Sequence, residues 1–212
     1  MTETEIQKRI ETEIIIFLAR QTGKRFVPTA GSNRHVHLYR ADLDVLFGAG
    51  YALKQLRPLS QPGQFACEET VTLRGPRGNI DNIRVLGPER QETQVEISVT
   101  DSFKLGIMPV VRMSGELANT PGGILIGPNG SVELHKGIIV AARHLHLSAD
   151  QAEGLSLKNG DVVKLKVNGM RPVVFENVVV RAGDGHEMEV HLDTDEANAA
   201  FIKNGDYMEI ID

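Results

Sequence analysis

From Thr4 to Arg20 the chain has neither Gly nor Pro, and Ile6, Ile10, Ile14, Phe17 and Leu18 recur at the spacing of one helix face. Gly23 follows where a C-terminal cap belongs. The pattern predicts a helix that packs on its own fold or on a second subunit, or that serves as a short address peptide for a larger assembly. After Phe26 the period changes. Short β-rich runs predict strands at Phe65–Leu73, Ile80–Leu86, Gln94–Thr100 and Ile138–Ala142, then at Val162–Val167, Val173–Val180, Glu187–Leu192 and Tyr207–Ile211. Gly75-Pro76-Arg77-Gly78 and Gly127-Pro128-Asn129-Gly130 read as tight turns between strands. Many short strands and few helices point to a mainly β chain built as small barrels. A parallel sheet of alternating strands and helices would need more helical sequence than this.

The chain also repeats itself. Arg34-His35-Val36-His37-Leu38 recurs as Arg143-His144-Leu145-His146-Leu147, each followed by Ala-Asp. His146–Asp161 aligns without gaps with His191–Asp206, sharing His-Leu, an Asp, an Ala and a closing Lys-Asn-Gly-Asp. The unit predicts a strand ending in His-Leu, a short helix, and a Gly-Asp turn into the next strand. Ser148 and Asp193 stand at the N-cap, with Gln151 and Glu196 three residues on, as a capping box requires. Tyr39 takes that place in the first copy, which therefore lacks the cap. The repeat puts His37, His146 and His191 at equivalent strand ends.

Composition narrows the class. A chain of 212 residues with 41% hydrophobic side chains can bury the core of one large domain or two small ones. Its 23 Lys+Arg against 28 Asp+Glu, spread along the chain, leave −5 and no basic face for nucleic acid or a membrane surface. The single cysteine, Cys67, allows no internal disulfide and no thiolate zinc finger, and fits a reducing cytoplasm. The longest apolar run, Ile14–Ala19, is far short of the ~20 residues of a membrane span and follows acidic residues, unlike a secretory signal. The expectation is a soluble cytoplasmic protein, and the chemistry rests on the histidines.

Residues two apart on a strand project from one face, so each His-x-His pair can converge on one cation, and neutral imidazole is a favoured zinc ligand. Two pairs and a third equivalent His supply five imidazoles, enough for two metals if a carboxylate joins. His135 and His186 lie outside the repeat and read as ordinary surface histidines. Glu96 leaves the apolar Val95/Ile97 face, and by pattern alone it sits on a solvated strand face.

Several long motifs resemble the PduL-type phosphate acyltransferases. They are Ser32–Leu38, Leu59–Ala66, Glu69-Thr70-Val71, Arg84–Arg90, Thr93–Ile97, Val111–Gly115, Pro121-Gly122 and Arg143–Leu147, in order from about Phe26 onward. The resemblance implies interconversion of acyl-CoA plus phosphate with acyl phosphate plus CoA. It also implies two β-barrels per chain: residues 24–33 with 142–212 in one, residues 34–141 in the other, and residues 1–23 as a separate helix. By match to the motifs, one zinc takes His35, His37 and Glu96 and the second takes His144, His146 and His191, two per chain, with open positions for the CoA sulfur and for phosphate. A homodimer is implied too, and some members lie inside a bacterial microcompartment among shell or lumen proteins. Thr29-Ala30-Gly31 departs from the hydrophobic run expected before Ser32.

For CoA, Arg57 and Arg84 flank the motifs as candidate phosphate cations, with Ser32, Leu86, Phe103 and Asn198 for the nucleotide and pantetheine. Ser114-Gly115 is the candidate phosphate-binding turn, since a small residue beside Gly lets backbone N–H groups approach an anion. Arg90, behind the Gly87-Pro88 turn, is the candidate catalytic cation; its planar guanidinium suits charge shared between a thioester oxygen and phosphate. Arg34 and Arg143 each precede a strand His and so should face away from the ligand pairs. Cys67, on a strand without a neighbouring His, reads as a buried inert thiol. Two other readings stay open: a dinuclear zinc hydrolase of esters or phosphoesters, and a non-catalytic barrel protein with structural histidines.

Overall fold

A computed structural model describes residues 3–211. The first elements in chain order are α1 (Glu3–Thr22), β1 (Arg25–Ser32), β2 (His35–His37), α2 (Arg40–Phe47), β3 (Gln55–Pro58), β4 (Phe65–Arg74) and β5 (Asn79–Gly87). Next come β6 (Gln94–Glu96), α3 (Val99–Leu105), β7 (Val111–Arg112), β8 (Gly123–Ile126), β9 (Ser131–Leu134) and β10 (Ile138–Ala141). The rest are β11 (His144–Leu147), α4 (Ala149–Gly154), β12 (Val162–Val167), β13 (Val173–Ala182), β14 (Glu189–Asp193), α5 (Thr194–Ala200) and β15 (Tyr207–Ile211). The fold is mainly β, as expected, and divides into two compact units. The first holds residues up to Ser32, Arg143–Leu192 and the chain from Glu196; the second holds Asn33–Ala142 with Asp193–Asp195.

In the first unit β1, β14, β11, β13, β12 and β15 close into a barrel. Period-two alternation builds its interior. Val163, Leu165 and Val167 of β12 turn inward while Val162, Lys164 and Lys166 are exposed, and Met208 and Ile210 of β15 join the same core. On β11 it is Leu145 and Leu147 that enter this core. Helix α1 ends where Gly23, at φ +72°, donates its N–H to Ala19 O over 2.9 Å. Ile15 is buried in the unit's core and Ile16 is buried against Gly154 of α4, whereas the predicted stripe of Ile6, Ile10, Ile14, Phe17 and Leu18 is exposed. Among the described residues no helix is long and apolar enough to cross a membrane.

The second unit carries a nine-stranded sheet, ordered β7-β10-β6-β2-β5-β4-β8-β9 with β3 on the side of β4, curled into a half-barrel. Val36, Val85, Val95, Leu73 and Leu125 lie in its core. Both predicted turns are present: Gly75 N–H donates to Gly78 O and Gly127 N–H to Gly130 O, each over 2.9 Å.

Two sequence expectations change. The run Gln94–Thr100 is a strand only to Glu96. Ser98 then accepts from Asp101 N while Asp101 Oδ2 accepts from Ser98 N, each over 3.2 Å, and this capping box starts α3 despite the β-branched Val99 and Thr100. Strands β3, β7, β8 and β9 fall outside the predicted set because each has only two to four residues and β3 is exposed throughout, without alternation. The box at Ser148 and Gln151 is present, and Tyr39 caps α2 with no side-chain bond.

Close packing explains the Pro121-Gly122 motif. A Cβ at Gly122 would stand 1.9 Å from Leu134 O and 2.9 Å from the His135 carbonyl carbon, both backbone atoms that cannot rotate away. Gly122→Ala should therefore cost at least ~1–3 kcal/mol, read as a fall of roughly 2–4 °C in Tm per kcal/mol. A variant that melts with the parent chain would reject this account.

Candidate functional site

Strand alternation that sends Val36 and Val95 into the second core turns His35, His37, Gln94 and Glu96 to the opposite face. The antiparallel register sets His35 across from Glu96 and His37 across from Gln94. His35 Nε2 lies 3.5 Å from Glu96 Oε2, and the two histidine rings meet edge to face with centroids 5.1 Å apart. His35 Nδ1 is 2.9 Å from Asn33 O, a carbonyl that can only accept, so Nδ1 is the donor there and Nε2 is the nitrogen turned to Glu96. Glu96 is buried, not solvated as its pattern suggested.

In the barrel unit Leu145 and Leu147 face the core and His144 and His146 the other side. His191 pairs with His144 across β11–β14, and the three ring centroids are mutually 4.7–5.0 Å apart. His191 Nε2 lies 2.9 Å from Glu189 Oε2, and His146 Nδ1 lies 3.0 Å from His186 Nδ1. His186 is thus half-buried against a candidate ligand, which corrects its reading as an ordinary surface histidine; His135 is exposed. The chain approach that brings His186 forty residues back to His146 leaves no local pattern to read.

Each set, His35/His37/Glu96 and His144/His146/His191, offers ligand atoms within 4.8 Å of one another and could hold a metal ion. Their chemistry fits one. Burial, with His35 and Arg90 nearby, holds His37 well below the usual histidine range, and burial with its neighbouring histidines lowers His146 to about 2. Both rings are therefore neutral at physiological pH, the form that binds metal. His37 Nδ1 is also buried without a hydrogen-bond partner, a costly state for a ring nitrogen that a cation would relieve.

Beside the second unit's set lies a polar network. Gln94, only 1% exposed, donates from Nε2 to Glu96 Oε1 over 2.7 Å and to Ser114 Oγ over 2.8 Å, and accepts Gly115 N–H on Oε1 over 2.8 Å. Arg90 Nη1 donates to the same Ser114 Oγ over 2.9 Å, and its backbone N–H to Leu38 O. Arg90 and Ser114 are therefore together, next to Glu96. The expected backbone donor is not: Gly115 N–H is taken by Gln94, which leaves Gly115, at φ +96° with open space where a Cβ would stand, to supply room. Gln94 was missed, although it stands two residues before Glu96 on one strand. The same spacing could have found Glu189 before His191.

The remaining candidates are more scattered. Arg57 and Leu86 both pair with Ala66, from opposite sides of β4. Arg84 Nη1 donates to Cys67 O over 3.0 Å and Glu68 O over 2.8 Å, so part of its fork ties down β4 rather than facing a ligand. Phe103 is 71% exposed on α3, Asn198 is exposed on α5 and Ser32 ends β1. Arg34 pairs with Asp101 over 2.8 Å, and Arg143 pairs with Glu196 and lies over the Phe175 ring.

Among known proteins, the profile of the phosphate propanoyltransferase family matches residues 28–203. A phosphate propanoyltransferase of Thermotoga maritima is 52% identical over 159 residues, 74% of this chain and 76% of its own. That of Rhodobacter capsulatus is 51% identical over 166 residues, 78% and 77% of the two chains. That of Clostridioides difficile is 47% identical over 167 residues, 79% and 80%.

Cys67 is fully buried on β4, and burial first, then Glu69, pushes its thiol up to about 11. Thiolate is the reactive form, so the folded chain should resist a disulfide reagent at pH 8 and release one equivalent on denaturation. Rapid labelling of the folded chain would restore Cys67 as a candidate nucleophile.

Proposed function

The chain belongs to the phosphate propanoyltransferase family, and from that membership we propose that it interconverts short-chain acyl-CoA plus phosphate with acyl phosphate plus CoA, using two zinc ions per chain and no covalent acyl-enzyme. The observation that carries this reading is the joining of a metal-type ligand set, His35, His37 and Glu96, to the guanidinium of Arg90 through Gln94 and Ser114. Zinc held by this set and by His144, His146 and His191 would supply Lewis acidity toward the thioester sulfur and the phosphate oxygens.

The chain's own groups account for the rest. A phosphate oxygen attacks the thioester carbonyl carbon, the C–S bond breaks, and its electron pair leaves with sulfur as the CoA thiolate. Arg90, half-buried beside Ser114, presents a fixed positive fork to the charge that grows on the carbonyl oxygen while the phosphate is near. Ser114 orients that fork. The burial of Cys67 supports direct transfer, because it withdraws the chain's one thiol from nucleophilic duty. Arg57, Arg84 and Leu86, with Ser32, Phe103 and Asn198, are the groups we assign to CoA. The exposed stripe of Ile6, Ile10, Ile14 and Phe17 supports a homodimer through α1.

Thiol release from propionyl-CoA should require phosphate and yield an acyl phosphate trapped by hydroxylamine. Release independent of phosphate would make the protein a hydrolase, and no release with no bound zinc would leave a structural barrel. His35→Ala and His144→Ala should each abolish turnover and lower zinc content by about one ion per chain, since each set needs its imidazoles. Loss of neither ion would sink the ligand sets. Arg90→Ala should keep both ions and the fold yet lose at least ~100-fold in rate, and Arg90→Lys should recover only part of it. Near-normal turnover by the fully loaded Ala variant would reject the role of Arg90.

A further inference from the structure

We infer that Gln94 is a positioning residue that locks the Glu96 carboxylate and the Ser114–Gly115 turn into one frame and makes Ser114 a pure donor toward an anion. The inference rests on the phosphotransfer reading above. A primary amide has two N–H groups and an acceptor oxygen, and it can usually flip. Here it cannot. Gly115 N–H can only donate, so Gln94 Oε1 must face it, 2.8 Å away, and Nε2 must face Glu96 Oε1 and Ser114 Oγ. The amide therefore selects which Glu96 oxygen it holds, Oε1, and leaves Oε2 as the one turned to His35 Nε2 at 3.5 Å.

Ser114 Oγ receives two donors, Gln94 Nε2 over 2.8 Å and Arg90 Nη1 over 2.9 Å. A hydroxyl has two acceptor sites and one proton. With both acceptor sites filled, what it has left for a third partner is its proton, so that partner must accept. Phosphate dianion is such a partner, and the guanidinium beside it supplies charge. The turn stays open there because Gly115 has no side chain. At 1% exposure Gln94 exchanges none of these bonds with water, so the spacing between the carboxylate ligand and the anion donors is set from within the fold.

Gln94→Met keeps the volume and removes all three bonds. We expect zinc affinity at one of the two sites, read by chelator competition without substrate, to fall by ~10–100-fold, the cost of losing a ligand's outer partner. The KM for phosphate should rise at least ~10-fold, the scale of one hydrogen bond to a charged group, while the KM for propionyl-CoA changes by less than about threefold. Thermal protection by inorganic phosphate should shrink in parallel, a readout that holds even if no acyl transfer is found in the parent chain. Ser114→Ala should lower phosphate affinity alone and leave zinc affinity at the parent value. If Gln94→Met does not fold, Gln94→Glu, which keeps the acceptor for Gly115, must still weaken phosphate binding. Parent-like zinc and phosphate affinities in either Gln94 variant would overturn the inference. So would an equal loss for phosphate and propionyl-CoA with a lowered Tm, the mark of a merely structural residue.

Discussion

Strand register is the constraint on which the rest of the structure depends. Across β2–β6 and across β11–β14, one residue of each His-x-His pair stands directly opposite a further ligand-type side chain, Glu96 or His191. Because side chains alternate with a period of two, a slip of one residue in either pairing would carry imidazoles into a hydrocarbon core and valine or leucine into the site. The cores forbid the slip. Val36 and Val95 are fully buried in one unit and Leu145 and Leu147 in the other, so the apolar face of each strand fixes what its polar face presents. Packing and chemistry are thus two sides of the same short strands.

The cost of this arrangement is the burial of polar groups on the second face, and it decides their protonation. Desolvation is the largest influence on both His37 and His146, ahead of the histidines and arginines beside them. A buried polar atom must find a partner or forfeit a few kcal/mol. Most here do: His35 has the Asn33 carbonyl, His191 has Glu189, His146 has His186, and Glu96 has Gln94. Among the described ligand-type groups, Nδ1 of His37 is left without one. Neutral His37 and His146, set among imidazoles held by outer partners and with a ring nitrogen left over, are stable as a receptor for a cation and poorly explained as a core.

Much of this was legible in the sequence because it is periodic. The alternation in Val162–Val167 and Tyr207–Ile211, the glycine-proline turns and the duplicated Arg-His-x-His-Leu unit each carry a local signal, and each reappears as strand, turn or paired histidines. What was not legible lacked a period or competed with one. Val99 and Thr100 are β-branched and look like strand, yet two hydrogen bonds between Ser98 and Asp101 outweigh that preference and start a helix. The four-residue strands β8 and β9 are too short for alternation to register, and they exist because each pairs with the other and β8 also with β4. Glu96 looked solvated because a strand pattern says which face a residue takes but not what covers that face.

The same distinction sorts the supporting residues around the ligands. Gln94 and Glu189 stand two positions before Glu96 and His191, so strand geometry alone delivers each to its neighbour, and a reading that extended the ligand rule by one step would have found both. His186 and Ser114 arrive from loops, forty residues from His146 and twenty from Gln94, and no local rule reaches them. A site built this way has a rigid part and an adjustable part. The strands fix where a cation would sit, to within the tolerance of a hydrogen-bonded ladder. The Ser114–Gly115 turn, held to the ladder through one amide and one guanidinium, sets what lies beside it. Substitutions in the Ser114–Gly115 turn should therefore be free to alter the anion side while the metal side stands. The reverse is closed, because moving any imidazole means moving a core.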